Sequence, residues 1–333
     1  MRVALLLGLS SVVAAQQTSP AERLIATGHW KRARTLVEKQ LRDNPEDPLA
    51  NFLLSQIRAA FGDRTSPLPL AEKAVALDGR TAKYRRQLAE VLGLTAQHAG
   101  PFQLVGLGRR FRRELNAALA LDAKDVQALR DLVEFYLIAP GLIGGSVRDA
   151  IATATRIEEI DPAEGALARA RVAAYQKDST REKTFLRKAV ALSPSAYKPQ
   201  IALAQFYLEV SHQDLKDAEE EAQEGVRIDP TRVDAHAILA AVYATKKAWA
   251  SLDATLAAAQ SAVPDGATPF YRAAEKLIAD ASDIARAERY LRIYIAAEPE
   301  GNQPALEDAR RLLAQSLGTP AATPRRASPV GQL

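Results

Sequence analysis

Three glycines, Gly141, Gly144 and Gly145, cluster in "APGLIGGSVRDA", residues 139–150. A glycine-rich turn that opens onto a helix can cradle a phosphate, because backbone N–H groups at the helix start point at the anion. A nucleotide-binding loop of this kind also needs a lysine, then serine or threonine, after its last glycine. Gly145 is followed instead by Ser146 and Val147, and the preceding "ALRDLVEFYL" is spaced as a helix, not a strand. Ser146 and Asp149 form an S-x-x-D capping signature, which predicts a helix opening near Val147. The loop therefore reads as a turn between helices.

Other chemistry is equally sparse. His29, His98, His212 and His236 are far apart, and no pair has metal-ligand spacing on one helix. The HExxH and GxSxG patterns are absent. The chain has no cysteine, which excludes disulfides, thiolate metal sites and thiol nucleophiles. The expectation is no catalytic residue, no cofactor and no metal. The sharpest charge feature is "GLGRRFRREL", where Arg109, Arg112 and Arg113 share one helix face, with Phe111 and Leu115 turned inward. That face could meet an anion or an acidic partner, or simply be solvated. Lys83, Arg85 and Arg86 in "TAKYRRQ" would extend its basicity. A net charge of +4 over 333 residues is too mild for a dedicated nucleic-acid binder.

Such residues sit on elements that the wider sequence defines. Apolar residues make up 47% and charged residues 25%, alanine is abundant, and no strict two-residue alternation marks a strand. At the start, "MRVALLLGLSSVVAA" has Arg2, an apolar run from Val3 to Leu9, and small residues at Val13 and Ala15. This is the layout of a secretory signal over residues 1–15, cleaved after about Ala15. The alternative is an ordinary first helix in a cytoplasmic adaptor. No later segment has the ~20 apolar residues a membrane helix needs. The expected location is exported, periplasmic or secreted, in a bacterium.

One short pattern recurs down the chain: "AVALDG" (74–79), "ALALDA" (118–123), "IEEIDP" (157–162), "AVALSP" (189–194) and "GVRIDP" (225–230), with weaker copies ending at Pro45, Pro264 and Pro299. The end points step by 34, 44, 39, 32, 36, 34 and 35 residues. Within one unit, Leu239, Ala240 and Tyr243 lie on one face of a first helix, and Leu252, Leu256 and Ala259 on one face of a second. The terminal prolines stop the second helices, because the residue before a proline is pushed out of α geometry.

A period near 34 residues with this punctuation resembles the tetratricopeptide repeat (TPR) family over residues 20–300. The resemblance implies an all-α, right-handed α-solenoid of antiparallel helix pairs, about eight units long. A capping helix is expected at 303–318, with Glu307, Asp308, Arg310 and Arg311 on its polar face. The proline-rich 319–333 reads as a disordered tail.

The resemblance further implies a protein or peptide partner held on the concave side, lined by first helices. Candidate contacts are Gln127, Arg130 and Glu134, then Lys198, Gln205 and Glu209, then Asp234 and Ala241. A well-known ligand mode of the family grips a C-terminal carboxylate with lysine and asparagine. This sequence departs from it, with Glu134, Gln205 and Ala241 where the asparagine is expected.

Two steps are long, and both excesses fall between the helices of a unit. "LTAQHAGPFQLVGLGR" and "IAPGLIGGSVRD" are expected to replace tight turns and to lie side by side along one edge. Their apolar residues, Phe102, Leu104, Val105 and Leu107 in one and Leu142 and Ile143 in the other, would pack together or meet a partner. The expected function is an exported, non-enzymatic scaffold for protein contacts, with an accessory role in an envelope assembly or transporter as its expected setting. The alternative is a small-ligand or enzymatic accessory subunit using the inserted loops.

Overall fold

The computed structural model describes residues 18–209, 214–264, 266–297 and 304–318. The expected export signal, His212 and the proline-rich tail lie outside them. The protein is 79% helical, with 17 helices and no strand among the described residues.

The helices pair off as antiparallel units. These are α1 (Pro20–Ala26) with α2 (Trp30–Asp43), α3 (Pro48–Ala60) with α4 (Pro67–Leu77), α5 (Ala82–Ala96) with α6 (Pro101–Leu121), and α7 (Val126–Ile138) with α8 (Val147–Ile160). They continue with α9 (Pro162–Tyr175) and α10 (Ser179–Leu192), α11 (Tyr197–Leu208) and α12 (Leu215–Ile228), α13 (Val233–Lys246) and α14 (Trp249–Ala262), and α15 (Thr268–Ala279) and α16 (Ile284–Ala296). A last helix, α17 (Leu306–Ser316), packs on α15 and α16.

Local chemistry sets the boundaries. The carboxylates of Asp47, Asp125, Asp161 and Asp214 accept backbone N–H groups at the starts of α3, α7, α9 and α12. At the ends of second helices, Asn44 (φ −142°, ψ 92°) and Asp229 (φ −148°, ψ 94°) are extended before Pro45 and Pro230. Asp122 adopts φ −137°, ψ 96° before an alanine. Proline thus reinforces a turn that the repeat makes without it.

A recurring side-chain hydrogen bond joins each of these turns to the helix that follows. Asn51 Nδ2 donates to the Pro45 carbonyl (3.1 Å), Arg85 Nε to Gly79 (2.9 Å) and Gln200 Nε2 to Pro194 (3.0 Å). His236 Nε2 lies 3.1 Å from the Pro230 carbonyl. Each spans six residues, and each satisfies a carbonyl exposed where a second helix has ended. His236 is therefore a buried structural group, 3% exposed.

Small residues let the pairs close. Ala74, Ala118, Ala189, Ala204 and Ala240 are fully buried, and Leu239, Leu252, Leu256 and Ala259 fill the core as their spacing requires. A methyl group at Gly165 would sit 2.3 Å from the Glu158 Cα, because Asp161 alone connects α8 to α9. One at Gly225 would sit 2.7 Å from Ile201 Cδ1.

The first long step differs from its expected form. Its extra residues lengthen the helices, leaving only residues 97–100 between α5 and a 21-residue α6. "PFQLVGLG" has no proline after Pro101, and Gly106 and Gly108 are carried inside the continuing helix. The second long step is an eight-residue connection, 139–146, containing a short 3₁₀ turn, Gly141–Ile143. Ser146 Oγ accepts from the Asp149 N–H (3.2 Å) as the capping signature requires. The Ser146 N–H donates to the Tyr136 carbonyl (2.8 Å), so the box is completed on one side only. A side chain at Gly145 would fall 1.7 Å from the Ala139 carbonyl, which explains the glycine.

The two ends of the array meet. Lys31 Nζ donates to the Ala297 carbonyl (2.6 Å). A cavity of about 680 Å³ lies between Ile25–Gly28 of the first unit and Arg232, Tyr271, Arg272 and Asp308 of the last ones.

Gly165→Ala should lower stability by more than about 2 kcal/mol, since backbone at 2.3 Å cannot yield as a side chain can. Gln200→Ala should cost about 1 kcal/mol, one buried hydrogen bond. Thermal and urea unfolding of both variants checks this, and equal small effects would refute the assigned ranking.

Candidate functional site

The first helices touch their counterparts in adjoining units, α3 to α5, α7 to α9, α9 to α11 and α11 to α13. They form a row, and the residues expected to meet a partner there engage one another along it. Glu164 on α9 accepts from Lys198 Nζ on α11 (2.6 and 2.7 Å), and Arg130 on α7 approaches it at 3.7 Å. Arg130 also donates to Gln127 (3.2 Å), which donates to Asp131 (3.0 Å). Glu134 accepts from Arg171 Nε and Nη2, at 2.7 and 2.8 Å. Arg130, Glu134 and Lys198 are thus committed to ties between units. Desolvation lowers the Lys198 pKa, Glu164 raises it and Arg130 lowers it further.

The remaining candidates divide. Gln127 and Gln205 are exposed on the row, and so is Glu209 at the end of α11. Asp234 is exposed and pairs with Arg232 at 3.6 Å. Ala241 is 1% exposed, so the expectation that it meets a partner is corrected. Both faces of α13 are covered, and its residues 235–242 are all buried.

Three further polar residues on first helices were not singled out in the sequence: Gln87 and Glu90 on α5, and Asp131 on α7. Gln87 is 1% exposed, and neither of its amide atoms has a hydrogen-bond partner. Asp131 Oδ2 is buried without a donor. Glu90 is open to solvent but surrounded by protein, and it forms no hydrogen bond or ion pair among the described residues. Burial raises the Glu90 pKa, the Asp131 charge raises it further, and Arg86 offsets part of this. Asp131 is itself raised by burial, against the pull of Arg86, Gln127 and Arg130. The spacing Gln87–Glu90 (i, i+3) beside Gln127–Asp131 (i, i+4) was the available signal.

The inserted edge is brought together in part. Ile143 is 7% exposed and packs over Gly108 of α6, where a methyl group would be 2.9 Å from its Cδ1. Leu104 is half-buried. Val105 and Leu107 are also half-buried, whereas Phe102 (98%) and Leu142 (83%) stand in solvent, so two of the six apolar residues are left uncovered. Beside them Arg109, Arg112 and Arg113 are exposed, while Phe111 stacks on Phe135 with ring centroids 5.3 Å apart. The expected extension of this basic patch fails. Lys83 pairs with Glu22 (2.6 Å), Arg85 with Glu114 (3.0 Å) and Arg86 with Asp125 (3.8 Å).

No family model and no curated protein matches the chain. Its structure is similar to that of yeast Tom70, with a TM-score of 0.57 at 14% identity over 92% of this chain. The chain spans 65% of that structure. Looser similarities join it to a tetratricopeptide repeat protein from Parabacteroides merdae (12% identity, 89% of this chain and 96% of that one, TM-score 0.42). A thermophilic TPR protein of Thermus thermophilus is similar at 21% identity over 65% of this chain and 91% of that one, with a TM-score of 0.35. The fold is the all-α tetratricopeptide solenoid. No helix among the described residues is long and apolar enough to cross a membrane, and no cluster of three metal-ligating residues occurs among them.

Two measurements check the electrostatics. A double-mutant cycle of Glu164→Gln and Lys198→Met should give a coupling of about 0.5–1 kcal/mol, limited by the 40% exposure of the lysine side chain. Glu90→Gln should raise the melting temperature at pH 7. The folded pKa of Glu90 lies above its unfolded value, so its ionised form costs stability at neutral pH, and the cost fades as pH falls below the ordinary carboxylate range. The gain should be under about 1 kcal/mol and absent near about pH 4. A destabilised Glu90→Gln at pH 7 would contradict it.

Proposed function

We propose that the protein is an exported, non-enzymatic scaffold that receives an extended segment of a partner protein along the row of α7, α9 and α11. The carrying observation is the contact of α7, α9 and α11 in one row, tied by Arg130, Glu164 and Lys198, with Gln127 and Gln205 left exposed on it. Ion pairs between units hold the row at fixed spacing, so a bound segment meets a preformed surface and ordering costs are cut. Export rests on Arg2 and the apolar run Val3–Leu9, ahead of the first described helix. An exported solenoid of this kind suits an accessory role in an envelope assembly or transporter.

A small-ligand reading is favoured by one feature. The cavity where the ends meet brings Arg232, Asp234, Arg272, Glu275 and Asp308 to one place. Such convergence of charged groups is what a polar ligand site requires.

A photo-crosslinking residue placed at Gln205, in the native host, should capture one defined protein. The same residue at Lys216, whose side chain is 82% exposed on α12, should not. Equal labelling from both positions, or none from Gln205, would sink the row as the binding surface. N-terminal sequencing of the protein from its host should begin near residue 16. Retained Met1 would instead favour a cytoplasmic adaptor.

A further inference from the structure

The edge formed by the α5–α6 and α7–α8 turns carries apolar tips in a basic setting, and the row of first helices uses neither. Residues 97–113 contain four arginines and no carboxylate, and residues 139–150 contain one arginine and one aspartate. On α6, Arg109 and Arg113 follow Phe102 by seven and eleven residues, close to two and three helical turns. The three therefore share one face, and all are exposed. Phe111 and Leu115 point the other way, into the core.

The second turn is docked beside that face. Ile143 packs over Gly108, and the Arg112 guanidinium lies over Gly144. Docking leaves Leu142 83% exposed, while Phe102, 98% exposed, stands six residues or about 9 Å beyond Gly108. The carboxylates nearby do not neutralise the edge. Glu72 is taken by Arg110 (2.6 Å) and Glu114 by Arg85 (3.0 Å). Arg113 comes only to 3.6 Å from Glu114 and stays 69% exposed, and Arg148, 3.6 Å from Asp149, stays 93% exposed. Arg109 and Arg112 have no carboxylate partner among the described residues.

We infer that this edge docks the protein reversibly on an anionic phospholipid surface. Phe102 enters the boundary between headgroups and acyl chains, Leu142 lies shallower behind it, and Arg109, Arg112, Arg113 and Arg148 meet lipid phosphates. Charge complementarity carries the choice of occupant. A second copy would set the same arginines against one another, whereas an anionic leaflet attracts every one of them. A protruding ring needs a shaped pocket on a folded partner, and a bilayer receives it without one. The dimensions agree. Arg109 lies about 10 Å behind Phe102 along α6, and apolar groups of surface-bound helices enter about 5–10 Å, so the ring reaches acyl chains while the guanidinium stays at phosphate level. The edge is separate from the row of α7, α9 and α11, so either can fail alone.

The test is flotation of the full chain with vesicles of phosphatidylcholine, with and without phosphatidylglycerol. Binding should require phosphatidylglycerol and weaken as salt rises. Arg109→Gln/Arg113→Gln should lower partitioning at least about tenfold, at about fivefold per cation near an anionic surface. Phe102→Ser should lower it about tenfold, as for one aromatic side chain withdrawn from an apolar phase. The replaced side chains are exposed, so melting temperatures should not change. Phe102→Trp should bind like the wild type, with its emission shifted to the blue on the mixed vesicles. Absence of binding to those vesicles would overturn the proposal, as would binding that both the arginine and the serine variants keep. An unshifted tryptophan would overturn insertion of the tip. A photo-crosslinking residue at Phe102 that labels a protein in the native host, and no lipid, would overturn the bilayer as occupant. The Gln205 crosslink tests the row separately and is untouched by any of these results.

Discussion

The close approach of antiparallel helices is the constraint on which everything else in this protein depends. Two helices pack tightly only where the facing side chains are small, and the fully buried Ala74, Ala118, Ala189, Ala204 and Ala240 meet that need unit after unit. Gly165 and Gly225 take it further, to distances at which a single methyl group would overlap a neighbour. Because no unit buries its apolar face alone, each completes the core of the next, and stability spreads along the chain as a sum of neighbouring interfaces.

Close packing leaves polar groups to be settled at the ends of helices, and the repeat settles them in the same way several times. Asn51, Arg85, Gln200 and His236 each reach back six residues to a carbonyl at the preceding turn. Three side-chain chemistries, carboxamide, guanidinium and imidazole, serve one geometric task. Proline at the turn is therefore an aid to it, as the extended Asp122 before an alanine shows. The same logic explains why the long steps do not weaken the array. One is absorbed into a longer α6, and the other folds Ile143 onto Gly108.

The row of first helices follows from that framework. First helices stacked at a fixed repeat bring charges from three units within reach of one another. Glu164 is shared between Arg130 and Lys198, and Glu134 is taken by Arg171. These ties rigidify the row, and they use up residues that looked free for a partner. The buried polar atoms without a partner are spread over several elements, at Arg86, Gln87, Asp131, Gln200 and Ser282.

The sequence by itself determined the repeat, the helix pairs, the cap at Ser146 and the inward turn of Leu115, because periodicity and capping are local and short in range. It also ruled out a phosphate loop, since the required lysine is missing after Gly145. Only the tertiary structure decided which charges are spent. Arg86 finds Asp125 39 residues away, Lys83 finds Glu22 at 61, and Lys31 finds Ala297 at 266. Such pairings depend on how successive units rotate against one another, a small angle per unit that accumulates along the solenoid and leaves no mark in local spacing. For the same reason the expected basic patch shrank to Arg109, Arg112 and Arg113.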